Sequence, residues 1–346
     1  MSNVLPDPKA PKESTDYIYG KRMEAYEDRM NFFLNEKVDV KKDDVEDKDK
    51  ETVDGLEALV NRFTSYATVK IPQLPAEYDG NEAVGKKALD FIVQLAKDLV
   101  DFILNLVNNR ISRLERRTNK TSMARKNDGI INKPVKYPLT VRRLLTPLNA
   151  STDPNWVGGA VVELLDWYKA VMKAHVFINN YVEGDLKVLS GHVGIVTDAV
   201  RDILGMKDDS GTLQSAVLPS NRRFSLDINT DNPRDFKMFF ANNNAIAKLR
   251  ADEWTPSSFV MDNTLNKISS LIKEIKSNQS TVSQLYRKFE KKVKKIEGET
   301  QGMTQEERNF YSWIIAFDRR LLSTNLQYVM GGLDAALDFV NSGVKQ

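Results

Sequence analysis

The sequence predicts a mainly α protein, an elongated multi-helix bundle with a minor β element near residues 213–229. Two observations point to helix: apolar residues recur at steps of three and four around residues 84–107 and again around 156–181. A third marks the exception, since Arg223-Phe224-Ser225-Leu226-Asp227-Ile228 alternates with a period of two. The chain has 346 residues with only 17 Gly and 12 Pro, which excludes collagen-like or linker-dominated chains. At about 150 residues per domain this length fits two domains or one large one.

Residues 1–52 read as a charged, largely disordered arm. Pro6, Pro8 and Pro11 open it, a short helix around Tyr17 to Phe33 is expected, and Lys37 to Glu51 holds twelve charges in fifteen residues. Such a run buries too little apolar surface to offset its ordering entropy.

Residues 53–128 form a helical region. Val53, Leu56, Leu59, Val60 and Phe63 suggest a short helix, and Pro72, Pro75 and Gly80 a loop. The stripe Val84, Ala88, Phe91, Leu95, Leu99, Phe102, Leu106 then predicts a long helix, running into a polar, basic tail from Asn108 to Lys126.

Residues 129–255 mix helix and short strands. Four prolines (134, 138, 147, 154) exclude helix from most of 129–155, where Val135-Lys136-Tyr137 and Leu139-Thr140-Val141 read as edge strands. A helix from Trp156 to Tyr181 follows, then one over Asp185 to Leu204 with expected breaks at Gly191 and Gly194. The β element has Leu213, Ala216 and Leu218 on one side of the turn Pro219-Ser220-Asn221 and Phe224, Leu226 and Ile228 on the other.

Beyond it the chain reads as helical, and 256–346 as a C-terminal bundle. Ser257 or Ser258 caps a helix to about Lys276, and Ser280 a second to Ile296. Thr304 and Glu307 have capping-box spacing, and Gly331-Gly332 interrupts the last helices.

Most familiar chemistry is missing. With no Cys there is no disulfide, thiolate site or Cys nucleophile; this leaves the compartment open but fits a reducing cytosol. Gly80 to Lys86 fits GxxxxGK, but Lys87 stands where Ser or Thr should hold Mg²⁺, and no buried strand precedes it. Asp227-x-Asn229-x-Asp231 imitates a calcium loop, but Asn232 replaces the required Gly and Met238 the final Glu. The two histidines, His175 and His192, show no metal-ligand spacing, and His175 reads as a core or helix-face residue of its helix. No nucleophile–base motif appears, so no enzyme, metal or cofactor is expected. No signal peptide or membrane-spanning stretch is evident.

Basic clusters are the strongest local signal. The net charge of +2 argues against a wholesale polyanion binder but leaves room for a local patch. Arg110, Arg113, Arg116, Arg117, Lys120, Arg125 and Lys126 form the first cluster, extended by Lys133, Lys136, Arg142 and Arg143. Arg287, Lys288, Lys291, Lys292, Lys294 and Lys295 form the second. They read either as solvated helix ends or as contacts to nucleic acid, without sequence specificity because Tyr137 is the one aromatic residue of the first cluster.

The order of features resembles the internal head (internal virion) proteins of large tailed bacteriophages. The likeness is carried by Gly55-Leu56-Glu57-Ala58-Leu59 leading to the helix Lys86 to Val107 and its tail with Arg116-Arg117-Thr118. Further matches are Val217-Leu218-Pro219-Ser220-Asn221-Arg222-Arg223, the polar helices from Phe259 to Lys295, and the closing pair from Phe310 to Val344 with Ala-Leu-Asp-Phe-Val at 336–340. The second stretch is similar to the family's Leu-Pro-Gly-Asn-Arg turn, with Ser220 in place of Gly. The resemblance covers most of the chain.

It implies a non-enzymatic virion protein, made in the host cytoplasm, packed inside the head with scaffold and capsid proteins, and ejected with the DNA. It also implies removal of an N-terminal packaging segment by the prohead protease, which cuts after a small or aliphatic residue, any residue, then Glu. Leu34-Asn35-Glu36 and Gly55-Leu56-Glu57 fit that pattern, making Glu36 and Glu57 the candidate processing positions. Val161-Val162-Glu163 and Ile272-Lys273-Glu274 fit it too, inside expected helices. The alternative is a phage or bacterial accessory protein that binds a host factor through a helical surface.

Overall fold

The computed structural model describes residues 97, 107–149, 151–183, 192–228, 236–297 and 305–345, all within one unit, Phe63–Gln346. The arm, the GxxxxGK stretch, Glu36, Glu57 and nearly all of the helix expected over 84–107 lie outside the described residues. The fold is mainly α with a small antiparallel sheet.

Helix α1 (Ser112–Asp128) continues from a π-helical turn, Val107–Ile111. Helix α2 (Trp156–Glu183) starts where Asp153 Oδ1 accepts the Asn155 backbone N–H at 2.9 Å, an Asx turn. Helix α3 (His192–Ile203) packs on α2. It stops at Gly205, whose φ of +60° suits glycine, with the Met206 N–H closing onto Arg201 O. Gly194 is an exposed residue inside α3 and does not break it.

Helices α4 (Ser258–Glu297) and α5 (Gln305–Ser342) are each unbroken. Ser257 caps α4, its Oγ accepting the Val260 N–H at 3.3 Å. Ser280 is not a cap. It is mid-helix, and its hydroxyl donates back to Ser277 O at 3.2 Å. Thr304 lies outside the described residues. Gly331-Gly332 does not interrupt α5. A Cβ at Gly332 would stand 2.4 Å from Leu164 Cδ1, so this glycine lets α2 approach closely, whereas Gly331 faces open space.

Strand β1 (Val135–Lys136) pairs with β6 (Glu253–Trp254). Leu139–Leu144 is a 3-10 turn, not an edge strand: after extended Pro138 the chain buries Val141 and Leu144, three residues apart. The main sheet has order β2-β3-β4-β5, all antiparallel: β2 (Lys207–Asp209), β3 (Thr212–Gln214), β4 (Arg222–Ile228) and β5 (Phe236–Asn242). Ser210 and Gly211, both at positive φ, make the two-residue turn between β2 and β3. The β element is thus larger than 213–229, and β5 stands where the chain was expected to be helical again. Phe224↔Phe240, Leu226↔Met238 and Ile228↔Phe236 share the face that packs on α5. There Phe236 lies 5.1 Å from Phe317, and Phe240 stacks on Tyr328 at 4.0 Å, ring centre to ring centre.

Candidate nucleic-acid interface

Helical geometry sorts the cations of α1. Ile111, Leu114, Thr118 and Thr121, at steps of three and four, are buried. The opposite face then carries Arg113, Arg116 and Lys120, all exposed, and Lys126, exposed as well, lies about a third of a turn round the helix from Lys120. None of these four makes an ion pair among the described residues; Arg116 Nε donates to Ser112 O within the helix.

Arg117 and Arg125 are spent on the fold. Arg117 bridges two acids one turn apart on α5: Nη2 donates to Asp338 Oδ1 at 2.8 Å and Nη1 to Asp334. Burial pushes the Asp334 carboxyl up, against the pull of Arg117, Arg110 and Arg113. Arg125 donates to Asp262 of α4 at 2.6 Å, and its side chain is only 14% exposed. Both arginines therefore dock α1 against its neighbours. Arg110 is exposed in the π-helical turn, within the field of Asp334.

The second cluster lies elsewhere along α4. Helix α1 runs antiparallel to α4, Arg125 meeting Asp262, Lys276 meeting Glu115 at 2.9 Å, and Gln279 meeting Asn108. Lys291 stands about 18 Å along the helix beyond Gln279, so the clusters occupy successive stretches and not one patch. Lys291 and Lys295 are exposed, Lys292 is half-buried and partnered, and the Lys294 side chain lies outside the described residues.

A second polar constellation sits in the interior. Asp318 of α5 accepts from Tyr286 of α4 at 2.5 Å and from Asn179 of α2 at 3.2 Å. His175 Nδ1 lies 2.9 Å from both of its oxygens. A proton on Nδ1 makes this a hydrogen bond to the carboxyl, which assigns the tautomer. An Asp-oriented His makes two of the three members of a catalytic triad, but His175 is 0% exposed and its Nε2 is buried without a partner. The cluster joins three helices inside the core, where no substrate arrives. The sequence offered His175 as a core or helix-face residue, and the structure buries it in the core; Asp318 and Tyr286 gave no local signal because their partners are far along the chain.

Among the described residues no group of three or more His, Cys, Asp or Glu is placed to hold a metal ion. Asp227 of the calcium-like stretch pairs with Lys237 across the β4–β5 ladder, while Asn229 and Asp231 lie outside the described residues. No described helix is long and apolar enough to cross a membrane. No family profile, curated protein or solved structure matches the chain.

Proposed function

We propose that this is a non-enzymatic phage virion protein, packaged inside the head with the scaffold core, trimmed by the prohead protease and ejected with the DNA. The observation that carries this reading is the turn Leu218-Pro219-Ser220-Asn221-Arg222. Ser220 has φ +70° and Asn221 φ +54°, and Leu218 and Arg222 close the turn through a 2.7 Å backbone bond. A positive φ is the conformation for which glycine is suited. The one departure from the family's Leu-Pro-Gly-Asn-Arg turn thus keeps the backbone shape that a glycine would serve. The turn is also held in place: Tyr328 donates to Pro219 O at 2.5 Å, and Asn221 Nδ2 donates to Ala245 O at 2.6 Å.

The protease pattern fits this reading as well. Val161 and Ile272, which open the two internal matches, are buried in α2 and α4, where a protease needs local unfolding. Glu36 and Glu57 remain the proposed cut positions. The test is intact mass of the chain from purified particles beside the recombinant chain. A particle form lacking the first 36 or 57 residues is expected. A full-length particle form removes the processing step alone. Absence from particles overturns the reading and favours a host-factor binder.

A further inference from the structure

We propose that the outward row Arg113–Arg116–Lys120 of α1 is a contact surface for the phosphate backbone of duplex DNA, engaged without base readout. This deepens the reading above, on which the chain shares the head with packaged DNA.

The row is about 10 Å long from Arg113 to Lys120. Duplex DNA carries one negative charge per about 1.7 Å of axis, so such a row spans several phosphates. The row is also free to act: its three cations are exposed and form no ion pair among the described residues, whereas Arg117 and Arg125 of the same helix are neutralised by Asp334, Asp338 and Asp262. The two acids of α1 do not oppose it. Glu115 is held by Lys276, and Asp128 is the last residue of the helix.

The choice of partner follows from what else the helix carries. Helix α1 has no aromatic residue, and its one exposed large apolar side chain, Met123, stands alone one turn beyond Lys120 with no apolar neighbour on that face. Single-stranded nucleic acid is held by base stacking on aromatic rings as well as by charge, and protein interfaces centre on aromatic or apolar anchors with charges at the rim. A row of cations interleaved with exposed Asn119 and Asn127 instead matches a uniform line of phosphates, which read charge and hydrogen bonding alone.

The test is anisotropy of a labelled random-sequence duplex with the full chain, at 50 and 200 mM salt, against the R113Q/R116Q/K120Q variant. The wild-type chain is expected to bind the duplex at low salt. Losing three phosphate contacts should flatten the log–log salt slope by about 2.7, so this salt increase weakens wild type about 40-fold more than the variant. The R113K/R116K/K120K variant should keep the wild-type slope, because the contact reads charge. No duplex binding at 50 mM salt overturns the proposal, as does an unchanged slope in the glutamine variant whose melting curve matches wild type. Equal or tighter binding of single-stranded DNA, or of polyglutamate at matched charge, overturns the choice of duplex. The two readings separate cleanly: presence in particles without duplex binding removes this surface alone, while duplex binding by a chain absent from particles removes the virion role alone.

Discussion

Helices α4 and α5 have 40 and 38 residues and pack against the same neighbour, α2, but they bury their surfaces differently. Helix α4 is one-sided. Val260, Met261, Thr264, Leu265, Ile268, Leu271, Ile272 and Ile275 are buried, while Asn266, Ser269, Ser270, Lys273 and Lys276 face water. Helix α5 is central, with Gln327 the one exposed residue between Phe310 and Val340. A one-sided helix leaves its polar residues to solvent. A central helix has to satisfy each polar group inside the core and make room wherever a neighbour comes close. Asp318 and Gly332 of α5 are the two sharpest instances.

The largest effect is expected at Asp318. Asp318→Ala removes the acceptor shared by Tyr286, Asn179 and His175, leaving buried donors unpaired. A loss of about 3–5 kcal/mol in urea unfolding is expected, and Asp318→Asn, which keeps the shape and an acceptor oxygen, should lose less. Alkaline pH probes the same cluster. Burial, then the neighbouring Asp318, pushes the Tyr286 hydroxyl well above its ordinary value near 10. The folded state keeps this proton after the unfolded chain has lost it. The contribution to stability is therefore full below about pH 10 and is lost as pH rises beyond it. The urea midpoint should fall above pH 10, and Tyr286→Phe, though less stable at neutral pH, should show a shallower fall.

The two glycines of α5 give the next effect, with opposite signs one residue apart. Gly332→Ala drives a methyl against buried Leu164 and should cost about 1–3 kcal/mol. Gly331→Ala meets nothing within 4 Å and should stabilise by about 0.5–1 kcal/mol through helix propensity. If both substitutions destabilise equally, the close approach of α2 is not what Gly332 serves.

These residues also show where the sequence could be read and where it could not. The stripe of α2 was legible from residue spacing, and the observed helix runs over Trp156–Glu183. The Gly-Gly pair reads as a break because propensity is local, while the Leu164 contact arises from a helix more than 160 residues earlier in the chain. Strand β5 carries a period-two signal of its own, the alternation of Phe236, Met238 and Phe240. At the candidate interface the cations themselves were legible, but not their division into docking and outward groups. That division depends on Asp334 and Asp338, which lie 217 and 221 residues from Arg117 and share a face only once α5 is folded.

The smallest effect is the one whose sign decides most about α4. Ser277, Asn278 and Ser280 form the polar run that reads as a break between two helices. In the structure Ser277 Oγ donates to Glu274 O at 2.8 Å, Asn278 Nδ2 donates to the same carbonyl at 3.0 Å, and Ser280 is exposed. If Ser280 were the cap of a second helix, Ser280→Ala would cost about 1 kcal/mol by orphaning an N-terminal N–H. In an unbroken α4 the same substitution replaces a residue that competes for backbone hydrogen bonds with the best helix former, and should stabilise by a few tenths of a kcal/mol, about 0.3–0.5. Urea melts of Ser280→Ala beside wild type therefore distinguish one long helix from two, because the one-sided helix tolerates at residue 280 what a helix start would not.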